Sequence, residues 1–231
     1  MQCPGQDSRY WDGQAIFESR CPKCGSVVEF FKDDSTRRCR QCGHELLNPR
    51  IDFGCASYCP FAEQCLGSLP PEMLAKKQEL LIDRVASEMK RRHGEDFSTI
   101  GRASRAARYA GILAKAEEAN KAAVTIAALL AELDGPISTS GPRETAKARA
   151  LLNELQANEG LANEICTLIS GLGATTNQAS INACVLHDAW QLAALAQGVD
   201  QDQAQAICST LKTANSRHEA ETILAATTKT P

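Results

Sequence analysis

The chain has 231 residues, a formal net charge of -3 and 43% hydrophobic residues, which leaves room for one medium domain or two smaller ones. Its near-neutral charge gives no electrostatic case for a broad grip on nucleic acid, and no apolar run approaches the ~20 residues that span a bilayer. The opening Met-Gln-Cys-Pro-Gly-Gln-Asp has neither a basic nor an apolar export region, so a cytoplasmic location is expected.

Eight of the eleven cysteines fall between Cys3 and Cys65. Thiols in a reducing compartment serve metal or redox chemistry rather than disulfides. Residues 1–70 therefore read as a cysteine-rich metal-binding module, and metal ligation has to supply much of the stability of so small a region. Within it, Cys21-Pro-Lys-Cys24-Gly and Cys39-Arg-Gln-Cys42-Gly form two C-x2-C-G knuckles separated by fourteen residues. Two knuckles supply four sulfurs, the number that tetrahedral zinc requires at ~2.3 Å. The pattern is that of a zinc ribbon, with a rubredoxin-like iron site as the competitor for metal identity. The intervening segment from Val27 to Asp34 has the length and composition of a small hairpin. With four ligands taken, the site is closed and structural, and His44 is a neighbour rather than a ligand.

Cys3, Cys55, Cys59 and Cys65 remain. They lack the knuckle signature, and their wider spacing with Tyr58, Phe61 and Trp11 nearby suits a [4Fe–4S] cluster. A second zinc ion, or free or redox-active thiols, are the alternatives. Ligation by Cys3 would require the N-terminus to fold back onto residues 55–65.

Beyond Gly67-Ser68-Leu69-Pro70-Pro71 the composition turns to alanine, leucine, glutamate and lysine, and residues 71–231 read as all-α. Pro70-Pro71-Glu72 suits a helix start. The spacing predicts a helix from about Met73 to Arg92, with Leu74, Leu80, Leu81, Val85 and Met89 near one face. Further helices are expected after Ser98 and over Ala122–Leu133, Arg143–Gln156, Leu161–Ser170, Ala179–Ala196, Gln201–Thr213 and Arg217–Ala226. Gly135-Pro136, Gly141-Pro142, Gly160 and Gly171–Gly173 punctuate them. Cys166, Cys184 and Cys208 lie in helical, apolar surroundings and read as buried thiols. The fold class is mainly α: a small zinc-ribbon-like module followed by a helical bundle.

The stretch Arg102-Ala-Ser-Arg105-Ala-Ala-Arg108-Tyr109-Ala110 resembles the HD-domain phosphohydrolase family. So do Ala127-Ala-Leu-Leu130-Ala131-Glu132-Leu-Asp134-Gly135, Gly141-Pro142-Arg143-Glu144, Glu164-Ile165-Cys166-Thr-Leu-Ile169 and Val185-Leu186-His187-Asp188-Ala189. The resemblance covers residues 98 to 195. Cys-Pro-Gly-Gln-Asp at 3–7, Val-Glu-Phe-Phe-Lys-Asp-Asp at 28–34 and Gly54-Cys55 are similar to bacterial proteins that fuse a cysteine-rich module to an HD domain.

The resemblance implies a helical bundle whose active members hold a water-activating divalent metal on histidines and aspartates. Here the first histidine position falls at Arg102 and the His-Asp pair at Ala131-Glu132. Two further histidine positions fall at Gly171 and Leu172, and Asp188 alone is retained. The expectation is a pseudoenzyme without catalytic residues. A convergence of Glu132, Asp134, His187 and Asp188 would be needed for a divergent phosphohydrolase. Arg102, Arg105 and Arg108 either line an anion-binding pocket or form a solvated basic face. The expected role is that of a non-catalytic accessory, scaffold or regulatory subunit with a protein partner; the Arg37-Arg38 and Arg40 spot leaves nucleic-acid contact open. The alternatives are a divergent metal-dependent phosphohydrolase and an iron–sulfur electron-transfer or redox-sensing subunit.

Overall fold

A computed structural model describes residues 16–31, 34, 36–50, 71–136, 143–173 and 179–227. The chain divides into two compact units, residues 1–77 and 78–231. It is mostly helical, with a small strand region near the N-terminus that holds a cysteine cluster.

The strand region consists of two hairpins. β1 (Ile16–Arg20) pairs antiparallel with β2 (Val27–Phe31), from Ile16↔Phe31 to Arg20↔Val27. β3 (Thr36–Arg38) pairs antiparallel with β4 (Glu45–Leu47), from Thr36↔Leu47 to Arg38↔Glu45. This corrects the hairpin expected between the knuckles: β2 and β3 belong to separate two-stranded sheets, and each knuckle is itself the turn of a hairpin. The physical reason is the tight turn at each C-x2-C-G, which reverses the chain and brings together the strands on either side of it.

Side chains alternate across these strands as a pleated sheet demands. Phe17, Val28 and Phe30 point inward and are buried, whereas Ile16, Glu18, Val27 and Glu29 are exposed. The rings of Phe17 and Phe30 stack with centroids 5.7 Å apart. The buried cluster comprises Phe17, Cys21, Val28, Phe30, Cys39 and Leu46, so two of its six members are sulfur ligand candidates rather than hydrocarbon. Asn48, 1% exposed, ties the hairpins together. Its amide donates to the carbonyls of Phe31 (3.2 Å) and Asp34 (2.8 Å), and its Oδ1 accepts from the Arg50 amide. The Arg37 and Arg50 guanidinium groups lie over the Phe31 and Phe17 rings.

The described residues hold eight helices: α1 (Pro71–His93), α2 (Phe97–Ala116), α3 (Lys121–Leu130), α4 (Ala146–Glu154), α5 (Glu159–Gly171), α6 (Ile181–Leu195), α7 (Gln201–Thr210) and α8 (Ala214–Thr227). Side-chain caps start five of them. Asp96, Asn120, Asn158, Ser180 and Asp200 each accept from backbone amides of the first turn, which satisfies donors that no helical carbonyl can reach. The core is built around α3, in which every residue from Ala122 to Leu130 is buried. It packs against α2, α5 and α6, and α8 packs on α6. Ala103, Ala106, Ala107 and Ala110 on α2 and Ala123, Ala127 and Ala128 on α3 are all buried. Their small side chains let the two helix axes approach closely.

A polar clasp joins three of these helices at their ends. The Glu164 carboxylate accepts from Asn120 Nδ2 (2.9 Å) and Asn182 Nδ2 (2.6 Å), and Asn182 Oδ1 accepts from the Asn120 amide. Leu74, on the face of α1 expected from the spacing, is 39% exposed, and among the described residues burial on that helix is confined to Val85 and Met89. Cys166 is buried as expected, but Cys184 and Cys208 are only partly so.

Ala127 is fully buried on the central helix. Ala127→Leu is expected to overpack it and cost about 1–3 kcal/mol, read as a lower melting temperature by thermal denaturation. Leucine in place of the exposed Ala75 should leave the melting temperature unchanged within error.

Candidate metal centre

Cys21, Cys24, Cys39 and Cys42 come together. Their sulfurs all lie within 4.8 Å of one another, with Cys24–Cys39 at 3.5 Å and Cys21–Cys42 at 3.6 Å. Both close pairs bridge one hairpin to the other. Four sulfurs at ~2.3 Å from a common centre stand ~3.8 Å apart along a tetrahedron edge, so the donor set fits a single tetrahedral ion in number, chemistry and spacing. Zinc and iron both meet that description. Among the described residues these cysteines are the only group of three or more Cys, His, Asp or Glu side chains that can hold a metal ion.

The backbone explains why the sulfurs converge. Cys21 N donates to Ser26 O and Gly25 N to Cys21 O, while Cys39 N donates to His44 O and Gly43 N to Cys39 O, each at 2.8 Å. Gly25 and Gly43 close these turns at φ of 73° and 69°, a left-handed conformation that a side chain disfavours. His44 contributes its carbonyl to the second turn and is not among the clustered ligands.

The electrostatics of the sulfurs are uneven. Cys39 is drawn down to about 6, first by the Ser26 hydroxyl and then by backbone amides. Cys24 is lowered by the same hydroxyl and the Ser26 amide. Cys42 is pulled down by the His44 amide, but burial and the other three sulfurs outweigh this and push it up to about 12. Four thiolates this close repel one another unless a cation stands between them. Cys3, Cys55, Cys59 and Cys65, proposed from the sequence as a second site, lie outside the described residues.

Among the described residues, Glu132, Asp134, His187 and Asp188 are not gathered into a group that can hold a metal ion. Glu132 accepts from Arg102 Nη2 at 3.0 Å and Nε at 3.3 Å. Asp134 accepts from the Lys147 and Ala148 amides at the start of α4. Arg143 Nη2 donates to the carbonyls of Ala131 (2.6 Å) and Gly135 (2.7 Å) just past the end of α3. Gly171 ends α5, with Leu172 as its C-cap. Arg108 lies over the Tyr109 ring, and among the described residues Arg102 is the one of the three spaced arginines with an ion pair.

Asp188 is fully buried and saturated with donors. It accepts from the amides of Lys212 (3.0 Å to Oδ1) and Thr213 (2.8 Å to Oδ2), and from Ser216 Oγ (2.7 Å). His187 Nδ1 lies 3.0 Å from its Oδ1. Thr213 Oγ1 in turn accepts from the Ser216 amide. Asp188 on α6 thus anchors the start of α8, a role that its neighbours in sequence do not reveal. Burial works to raise its carboxyl, but the His187, Lys212, Ser216 and Thr213 hydrogen bonds prevail and hold it below the usual carboxylate range.

No family model matches the chain, and no curated protein matches it. Among solved structures, the crystal structure of Bacillus subtilis YpgQ in complex with ADP is similar to it. The match has 18% identity, covers 61% of this chain and 88% of that one, and has a TM-score of 0.44. A likeness at this level does not bear on activity.

Asp188→Ala leaves buried amide and hydroxyl donors without an acceptor, at about 1–3 kcal/mol for each. Thermal denaturation should show a destabilisation of ~3 kcal/mol or more. Because its folded carboxyl is depressed, Asp188 stabilises the helical unit above the ordinary carboxylate value of ~3.9, and this contribution is lost as pH falls below it. The Asp188→Asn variant should therefore show a shallower acid-side fall in melting temperature than the wild type.

Proposed function

We propose that this protein is a non-catalytic metal-binding accessory or regulatory subunit, in which a zinc-ribbon-like module is joined to a pseudo-HD helical domain. Cys21, Cys24, Cys39 and Cys42 hold a structural zinc ion. Cys3, Cys55, Cys59 and Cys65 hold a second centre, a [4Fe–4S] cluster or another zinc. The observation that carries the reading is the four-sulfur cluster: four protein sulfurs within 4.8 Å of one another suffice for every position of a tetrahedral ion and would leave none for water or substrate. Zinc in this setting does structural work, fixing two hairpins that bury few apolar side chains.

The engagement of the acidic residues favours a non-catalytic helical unit. An ion-paired Glu132, an Asp134 that binds the start of α4 and an Asp188 saturated by four donor groups offer no free carboxylates to a divalent metal. A protein partner fits the near-neutral charge better than nucleic acid does. Arg37, one of the basic residues near the second knuckle, is paired with Asp34 at 2.6 Å.

Metal content and activity together test this reading. Full-length protein purified without oxygen should carry one zinc per chain that Cys39→Ser abolishes. Iron, sulfide and visible charge-transfer absorption, lost on changing Cys55 or Cys59, would identify the second centre as a cluster; zinc alone, at two per chain, would identify it as zinc. The protein should not hydrolyse nucleotides or generic phosphoesters with added manganese. Hydrolysis that is lost in Asp188→Ala, while the variant remains folded, would overturn the non-catalytic reading.

A further inference from the structure

The two knuckles match bond for bond along the backbone, but the match ends at the side chain that closes each turn, which is Ser26 in the first and His44 in the second. Ser26 Oγ lies 3.2 Å from Cys24 Sγ in its own knuckle and 3.0 Å from Cys39 Sγ in the other. Serine after a turn commonly bonds its own backbone. Here the described hydrogen bonds of the hydroxyl run to sulfur alone. It therefore sits against the edge of the sulfur cluster that joins the two hairpins, and that edge includes Cys24, the exposed member of the four.

Metal ligation, on the reading above, fixes the direction of these contacts. A metal-bound thiolate can only accept, so the hydroxyl is the donor. With a single hydrogen it serves Cys24 or Cys39 at any instant. Hydrogen bonds to charged acceptors are the stronger kind, and groups just outside a metal's ligands orient them and tune their basicity.

We propose that Ser26 is a positioning residue for the metal, whose hydroxyl holds Cys24 and Cys39 together across the two hairpins and draws charge off their sulfurs. This rests on the reading that the four cysteines bind a metal ion. The knuckles are then unequal: the closing residue of each offers its backbone to the turn, but Ser26 adds a side-chain donor to sulfur where His44 is described only through its backbone. Removing the hydroxyl should loosen the ion and make the two sulfurs more electron-rich.

Cobalt(II) is the probe, since its thiolate complexes absorb in the visible and near-ultraviolet. Full-length reduced protein loaded with Co2+ should show the spectrum of a four-sulfur tetrahedral site. Ser26→Ala should bind Co2+ about 10–100-fold more weakly in competition with a chelator, and its sulfur-to-cobalt charge-transfer band should move to longer wavelength. Ser26→Thr keeps the hydroxyl and should match the wild type in both respects. Ser26→Ala with wild-type affinity and an unmoved band overturns the proposal. Should Ser26→Ala bind no Co2+ at all, Ser26→Thr decides: wild-type behaviour supports the hydroxyl, and loss of binding overturns it. A wild-type protein without the four-sulfur spectrum removes the metal reading itself, and this inference with it.

Discussion

Four sulfurs held within 4.8 Å of one another impose the constraint on which the N-terminal unit depends. As thiolates they repel, and as thiols they form only weak hydrogen bonds. The hairpins that carry them bury few hydrocarbon side chains, and two of the buried residues are themselves cysteines. A small fold of this kind gains little from apolar burial. A cation at the centre of the cluster would turn that repulsion into attraction, and ligation would then contribute folding energy.

The helical unit rests on different physics. Its core is continuous and rich in alanine, and the buried central helix α3 brings α2, α5 and α6 against it. Its charged and polar groups are spent on the architecture. Asp188 anchors α8, Asp134 holds the start of α4, Glu164 clasps three helices, and Glu132 is matched by Arg102. These four carboxylates are engaged with helix ends and an ion pair.

Much of this was legible in the residues. Hydrophobic spacing with Gly and Pro punctuation located each of the eight helices to within a few residues, because amphipathic periodicity and helix stops are local signals. The C-x2-C-G spacing named the four clustered cysteines for the same reason. What escaped was pairing between segments. Nothing in Val27–Asp34 alone shows that β2 turns back to Ile16–Arg20 rather than forward to β3. The anchoring role of Asp188 is not legible locally either, because its donors come from Lys212, Thr213 and Ser216, more than twenty residues onward. Leu74 fits the periodicity of α1 yet is exposed, since a helical stripe does not disclose how far its cover extends.

The central claim is that a metal ion, rather than hydrocarbon burial, holds the two hairpins closed. Amide hydrogen exchange at the knuckles, with and without a chelator, tests it most directly. The amides of Cys21, Gly25, Cys39 and Gly43, each bonded to a turn carbonyl, should be protected in metal-loaded protein and exchange freely once the metal is removed. Those of α3 should be unaffected. Equal protection of the knuckle amides in chelated and loaded protein would contradict the account.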